Sequence, residues 1–129
     1  MKKLDFCGIP RPNYLKELEI SGNSFSGKVF FPLSDDSIGD RKDHANVSHL
    51  LFSCWNVAHF FARNLNMKKT LAVNTSVNCF SIVPPEKEIL IKGEIRFFNN
   101  EKTRGKMSVT FFNEEKFLSD ISVIFRSYF

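Results

Sequence analysis

The sequence has few cysteines, and they lack the spacings that bind metals or cross-link small secreted domains. Its three cysteines, Cys7, Cys54 and Cys79, are far apart and include no C-x-x-C pair. An odd, scattered set of this kind is typical of a protein from a reducing compartment. We therefore expect a cytoplasmic protein without structural disulfides.

Long apolar runs and glycine-rich loops are also missing. A membrane-spanning helix needs about 18 or more consecutive apolar residues, and no stretch approaches that length. Two lysines near the start are followed by no apolar segment, so a cleaved signal is not expected. The chain has only six glycines and none of the glycine-rich phosphate-binding sequences. The sequence thus predicts no membrane span and no cofactor.

The composition is that of one globular domain spanning residues 1–129. Hydrophobic residues make up 43% of the chain, and its 15 phenylalanines predict an aromatic core. The net charge of +4 suits an anionic partner, such as coenzyme A phosphates, an acidic carrier protein or nucleic acid. Lysine and arginine are scattered along the sequence rather than clustered, so no nucleic-acid partner is expected.

One long helix follows an acidic loop at residues 34–43. Either Asp43 or Asn46 can cap the start of this helix. Apolar side chains then recur at steps of three and four residues, which predicts a helix with one continuous apolar face; they are Val47, Leu50, Leu51, Cys54, Ala58 and Phe61. Because Phe52, Trp55 and Phe60 make the other faces apolar too, we expect the helix to be central and nearly enclosed.

After the helix the hydrophobic pattern changes to a period of two. Residues 70–79, 89–97, 107–113 and 121–125 alternate in this way, and the last three stretches are close enough to pair as an antiparallel meander. Before the helix, residues 25–33 read as a strand and residues 14–20 as a short strand or a helical turn. Pro10 and Pro12 indicate an irregular opening stretch. The predicted fold is α+β: a long central helix wrapped by a curved antiparallel sheet, which is the plan of the hotdog fold.

Two stretches resemble the hotdog superfamily of acyl-thioester enzymes. Residues 84–94, reading PPEKEILIKGE, resemble a turn and strand of these enzymes. Asp40, His44 and Asn46 are spaced like the D-x-x-G-H-x-N sequence at the helix start of 4-hydroxybenzoyl-CoA thioesterases. Asp43 stands where that group has glycine beside the thioester carbonyl, so the oxyanion contact differs.

The helix is also similar in layout to that of FcoT-like long-chain acyl-CoA thioesterases. Both open with a His-x-Asn sequence. Ile38 and Trp55 occupy positions where that family has a tyrosine and an asparagine. These two departures concern residues that the family places at its site.

The resemblance implies a thioesterase that hydrolyses acyl-CoA or an acyl carrier protein through its phosphopantetheine arm. It further implies a homodimer or dimer of dimers, with sites between subunits. Asp40 would activate water or attack the carbonyl, amides near His44 would hold the oxyanion, and Asn46 would orient the reacting group. The acyl chain would contact His49, Leu50, Leu51 and Cys54, and the pantetheine would leave toward Arg41, Lys42 or Lys68.

Simpler roles exist for these residues. Asp40 is one of several acids in a solvated loop, and Asn46 serves equally well as a helix cap. His44, His49 and His59 are not four apart, so a metal site is not expected, and the latter two fit buried or interface positions. Packing explains the many phenylalanines of the strands better than base stacking does.

Two other functions stay open. A 3-hydroxyacyl-thioester dehydratase would use His44 as its base, although the P-x-x-P-G sequence that usually follows the dehydratase histidine is missing. A non-catalytic hotdog module would bind an acyl carrier or only dimerise, and Asp43 and Ile38 favour it.

Overall fold

The computed structural model describes residues 3–6, 9–33 and 45–129, with side chains for 13–33 and 45–129. The described part contains eight strands and one helix. In chain order they are β1 (Lys3–Phe6), β2 (Ile9–Pro12), β3 (Leu15–Ser21), β4 (Ser24–Phe30), α1 (Val47–Asn64), β5 (Lys69–Cys79), β6 (Glu88–Phe97), β7 (Arg104–Asn113) and β8 (Lys116–Tyr128).

Six strands form one antiparallel sheet in the order β3-β4-β6-β7-β8-β5. Strands β6, β7 and β8 are the predicted meander, because short turns let consecutive strands pair at once. Strand β5 comes directly after the helix but pairs with β8 at the far side of the sheet. Strands β3 and β5 are therefore the two edges.

The helix packs on one face of the sheet and supplies the centre of the core. Leu50, Cys54 and Val57 are 2%, 2% and 0% exposed. They belong to one apolar cluster with the inward side chains of the sheet, among them Ile89, Ile91, Val109, Phe111 and Ile121. Inward and outward side chains alternate along the central strands β6 and β7, so one face of the sheet is apolar there and covered by α1.

The enclosure of the helix is less complete than the sequence predicted. Val47, Leu51 and Phe60 are 45%, 36% and 45% exposed, whereas the polar residues Ser53 and Asn56 are buried. These polar groups are tolerated because they are hydrogen-bonded. The Ser53 hydroxyl donates to the carbonyl of His49 at 3.0 Å, and the Asn56 amide oxygen accepts the backbone N–H of Tyr14 at 3.0 Å. The helix thus presents apolar side chains to solvent on two sides, Val47 and Leu51 on one and Phe60 on the other.

The opening stretch also differs from the sequence expectation. Instead of being irregular, β1 and β2 form a two-stranded hairpin in which Pro10 and Pro12 lie on paired positions. Residues 14–20 were expected to be either a short strand or a helical turn. Strand β3 forms here, and it pairs along its length with β4. Strand β4 ends at Phe30, just before the proline predicted to terminate it.

Two glycines of the sheet give room to aromatic rings. A Cβ on Gly93 would collide with the carbonyl of Ser108 and lie 2.5 Å from the Phe25 ring. Phe25 crosses this glycine to meet Phe61 at the end of the helix, with ring centroids 5.8 Å apart. Gly105 accommodates the ring of Phe125 in the same way. The sheet can therefore curve closely around α1 where these glycines lie.

Candidate active site at the start of the helix

The start of α1 is closed by a histidine that acts as part of the cap. Asn46 occupies the N-cap position, and its backbone N–H donates to Nδ1 of His49 at 2.9 Å. The His49 ring is fully buried, with centroids 5.4 Å from Tyr14 and 5.7 Å from Phe31. Because Nδ1 accepts a hydrogen bond, the neutral ring carries its proton on Nε2. His49 thus plays the part that glutamate or glutamine plays in a capping box.

The first backbone amides of α1 lie at the same point. The first i to i−4 hydrogen bond of the helix runs from Leu50 to the carbonyl of Asn46, at 3.4 Å. The amides of Val47 and Ser48 precede it, so no bond within the helix uses them. These amides and the positive end of the helix dipole favour a negatively charged oxygen placed beside them.

A groove opens beside the helix start, between it and the segment after β5. The Ala45 amide donates to the carbonyl of Val83 at 2.8 Å, and the amides of Phe80 and Ser81 donate to Leu118 at 3.0 and 3.1 Å. These bonds hold residues 79–83 against residues 45–50 and leave a groove of about 460 Å³. Phe80 and Ile82 are 65% and 60% exposed, so the rim of the groove is apolar.

A second cavity continues along the same side of the helix. It has a volume of about 260 Å³ and lies between α1 and the strands β5, β7 and β8. The lining is mostly apolar, and it consists of Leu51, Phe52, Cys54, Trp55, Ala58, Thr70, Ala72, Thr75, Met107, Val123 and Phe125. The groove and this cavity follow one another along α1, since the neighbouring residues Leu50 and Leu51 line them, and we call the two together the apolar cleft between α1 and β5.

Several residues predicted from the sequence line this cleft. Asn46 and Leu50 border the groove, while Leu51 and Cys54 border the inner cavity. Burial raises the pKa of the Cys54 thiol, so this side chain stays protonated and apolar. That state suits a wall of the cavity and disfavours a nucleophile.

The remaining predicted site residues either fall outside the described part of the chain or do not line the cleft. Asp40, Arg41, Lys42 and His44 fall outside the described residues. His49 is buried beneath the helix start and lines neither the groove nor the inner cavity. Lys68 lies past the other end of the helix, and because 18 residues of helix span about 27 Å, it is far from the groove.

Sequence reasoning missed the contribution of the segment after β5. Residues 79–83 form half of the groove, yet Pro84 and Pro85 only marked them as the end of a strand. The alternation of residues 70–79 also gave no sign that Thr70, Ala72 and Thr75 face an open cavity at the sheet edge. The available signal was the apolar pair Phe80 and Ile82 in a segment expected to be a loop.

Another cavity lies on the opposite side of α1, against the edge strand β3. It measures about 500 Å³, and its lining includes Asn56, His59 and Arg63. Burial and then the neighbouring Arg63 guanidinium lower the pKa of the His59 imidazole. The helix separates this polar cavity from the apolar cleft.

The described residues contain neither a metal-binding cluster nor a membrane-spanning helix. Within residues 13–33 and 45–129, no three side chains of the His, Cys, Asp or Glu type come together to hold a metal ion. The helix of the described part does not have the length and apolarity needed to cross a bilayer.

Comparisons with known proteins identify the fold. The sequence matches no known family profile and no curated protein. Among solved structures, a hypothetical thioesterase from Streptococcus pneumoniae TIGR4, solved with coenzyme A, is 15% identical with a TM-score of 0.68, over 86% of this chain and 84% of that one. A probable thioesterase from Bartonella henselae is 14% identical with a TM-score of 0.63, over 82% and 90% of the two chains.

A third neighbour acts on an aromatic acyl group. It is Slr0204, a 1,4-dihydroxy-2-naphthoyl-CoA thioesterase from Synechocystis, 12% identical with a TM-score of 0.65 over 81% of each chain. At these identities the likeness concerns the fold. The chain therefore has the hotdog fold, as its sequence pattern predicted.

Proposed function

Because the chain shares the hotdog fold of solved thioesterases, we propose that it hydrolyses acyl thioesters, with acyl-CoA as the substrate class. The observation that carries this proposal is the apolar cleft between α1 and β5. It opens where the amides of Val47 and Ser48 begin the helix, and it ends in a cavity of about 260 Å³. A thioester needs such a pair of features, namely an amide site for its carbonyl oxygen and an apolar space for its acyl chain.

The reacting carbonyl lies in the groove at the helix start. Hydrolysis makes its oxygen negative in the tetrahedral intermediate, and the first amides of α1 stabilise that charge. The carboxylate of Asp40 acts as the general base for water or as the nucleophile. Asp40 precedes Asn46 by six positions, and this closeness in sequence supports its assignment to the groove. Asn46 orients the reacting group.

The acyl chain follows the helix away from the carbonyl. Leu50 borders the groove, and Leu51, Cys54 and Ala58 continue the apolar wall into the inner cavity. From Val47 to Ala58 this path is about 16 Å long, at 1.5 Å per helical residue. The cleft thus extends well beyond the thioester itself.

A homodimer completes this site. Strand β5 is an exposed edge of 11 residues, and an uncovered edge of that length invites pairing with another strand. Leu71 and Val73 of β5 are 42% and 66% exposed. In α1, Val47 and Leu51 are also exposed, at 45% and 36%. Antiparallel pairing of two β5 edges satisfies the unpaired backbone groups of this edge and brings the partner to the mouth of the cleft.

The dehydratase alternative depends on a histidine at the groove. His49 is fully buried and its Nδ1 is engaged by the Asn46 amide, so it cannot remove a substrate proton. His59 lines the cavity on the other side of the helix. Of the three histidines, this leaves His44 as the base of a dehydratase.

The decisive experiment measures thiol release from acyl-CoA substrates by purified wild-type protein and two matched variants. We expect Asp40→Asn to abolish turnover while Asp36→Asn, which removes an acid of the same loop, leaves it intact. Loss with His44→Ala but not with Asp40→Asn, together with an enoyl product from 3-hydroxyacyl-CoA, would establish the dehydratase instead. Tight binding of a carrier protein without any turnover would identify a non-catalytic module.

A further inference from the structure

The sheet gathers cations that are scattered in the sequence. On the outer face of β6, β7 and β8, Arg96 pairs with Lys106, and Arg104 pairs with Arg126. All four side chains are exposed, and the residues between them along the strands point to the core. Strand register thus brings together residues 96, 104, 106 and 126, which are scattered along the sequence.

The two cations of each cross-strand pair repel each other. Side chains directly opposite on antiparallel strands have Cβ atoms about 5 Å apart, and like charges there repel. The ion pairs among the described residues join Lys28 to Glu17 and to Glu88, so none includes the four cations. Since no ion pair of the described residues neutralises these two like-charged cross-strand pairs, they are available to an external anion.

Apolar side chains alternate with these cations. In the same cross-strand rows, Ile124 lies beside Lys106, and Leu71 lies beside Arg126. The Arg96 guanidinium stacks 5.4 Å from the Phe98 ring centroid, and the Arg126 guanidinium stacks 5.2 Å from that of Tyr128. All four apolar side chains are 37–49% exposed: Ile124 37%, Tyr128 40%, Leu71 42% and Phe98 49%. We call these eight residues the basic face.

We propose that the basic face binds the surface of a lipid bilayer that contains anionic phospholipids. Lysine and arginine attract anionic headgroups, while exposed aromatic and aliphatic side chains enter the boundary between headgroups and acyl chains. The proposal stands independently of the reaction catalysed in the cleft.

Other occupants fit the basic face less well. Single-stranded nucleic acid binds by stacking its bases on aromatic rings and by its phosphates. The exposed aliphatic side chains Ile124 and Leu71 do not contribute to either contact. A second copy of the chain would bring like charges into contact, which opposes association through this face. A bilayer accommodates both the cations and the aliphatic groups.

The test is flotation of the purified protein with vesicles of phosphatidylcholine alone or with one third phosphatidylglycerol. We expect binding only to the anionic vesicles, with a partition coefficient that falls as salt is raised. Each basic residue near an anionic surface contributes about a five-fold gain, so Arg104→Gln/Arg126→Gln should bind about 25-fold more weakly. Lys87→Gln/Lys116→Gln is the matched control, since it lowers the net charge equally at exposed sites outside the basic face.

The outcomes separate the proposal from its rivals. The unfolding temperature of Arg104→Gln/Arg126→Gln should rise, because the substitutions remove one cross-strand repulsion. Its measurement shows that the variant is folded and separates a loss of vesicle binding from unfolding. Equal binding by the two double variants, binding to neutral vesicles, or no vesicle binding would overturn the proposal. Binding of a single-stranded oligonucleotide in place of vesicles, measured by fluorescence anisotropy, would also refute it.

Discussion

The substitution Ala58→Phe tests whether the acyl chain occupies the inner cavity. Ala58 is half-buried and lines this cavity of about 260 Å³. A methylene group takes about the same volume as a liquid water molecule, about 30 Å³, so the cavity accepts about eight or nine methylenes. A cavity of about 150 Å³ is enough for one benzene ring, and the added phenyl group therefore displaces about five methylenes.

The size of the effect follows from the lost burial. Each buried methylene contributes about 0.8 kcal/mol, so five of them amount to about 4 kcal/mol. Since 1.4 kcal/mol corresponds to a factor of ten, kcat/KM for dodecanoyl-CoA should fall about 1000-fold. Butanoyl-CoA ends in the groove near Leu50 and should keep its kcat/KM.

Steady-state thiol release with the two substrates gives both values, with Ala58→Ser as the matched small variant. Circular dichroism shows whether the variant folds. Unchanged turnover of dodecanoyl-CoA by a folded Ala58→Phe protein would refute the assignment of this cavity to the acyl chain. An equal loss with both substrates would mean that the substitution acts on the catalytic groove instead.

Three further predictions concern stability. Gly93→Ala should lower the free energy of unfolding by about 1–3 kcal/mol because a Cβ there meets the Phe25 ring and the Ser108 carbonyl. Urea denaturation measures this free energy, and an unchanged midpoint would contradict the close contact of Phe25 with Gly93. His49→Ala should destabilise the protein more than His49→Gln, by about 1 kcal/mol, because glutamine can still accept the hydrogen bond of the Asn46 N–H. Equal losses of unfolding free energy in the two variants would show that His49 stabilises the protein through ring packing alone. Burial and Arg63 lower the pKa of His59, so the folded protein favours the neutral ring and loses stability as pH falls below the ordinary value of about 6.5. Between pH 7.5 and 5, the free energy of unfolding of His59→Gln should therefore fall less than that of the wild type. An identical pH dependence of the two proteins would disprove this assignment.

The fold was predictable because its main signals are local. Residues 70–79 and 89–97 alternate with a period of two over long stretches, and the apolar steps behind Asn46 have the helical period. Strands that follow one another in the chain pair in the meander and in the β1–β2 and β3–β4 hairpins. The pairing of β5 with β8 leaves no local signal, because it depends on how the whole sheet closes around α1.

The candidate site was predictable in part. Asn46, Leu50, Leu51 and Cys54 do border the cleft, since a cap and an apolar stripe fix one side of a helix. His49 was assigned to the acyl chain, but its ring turns under the helix start to accept the Asn46 amide. Hydrogen bonds of this kind decide which polar side chains can be buried, and periodicity does not report them.

The position of β5 at the sheet edge affects the order in which the protein folds. Among the described strands, β5 (Lys69–Cys79) pairs only with β8 (Lys116–Tyr128), so it has no partner until β8 has been synthesised. Contacts between such distant segments form late because a long loop must close first. The wall of the cleft that β5 provides should therefore be absent from early intermediates, which expose Leu71 and Val73 to other nascent chains.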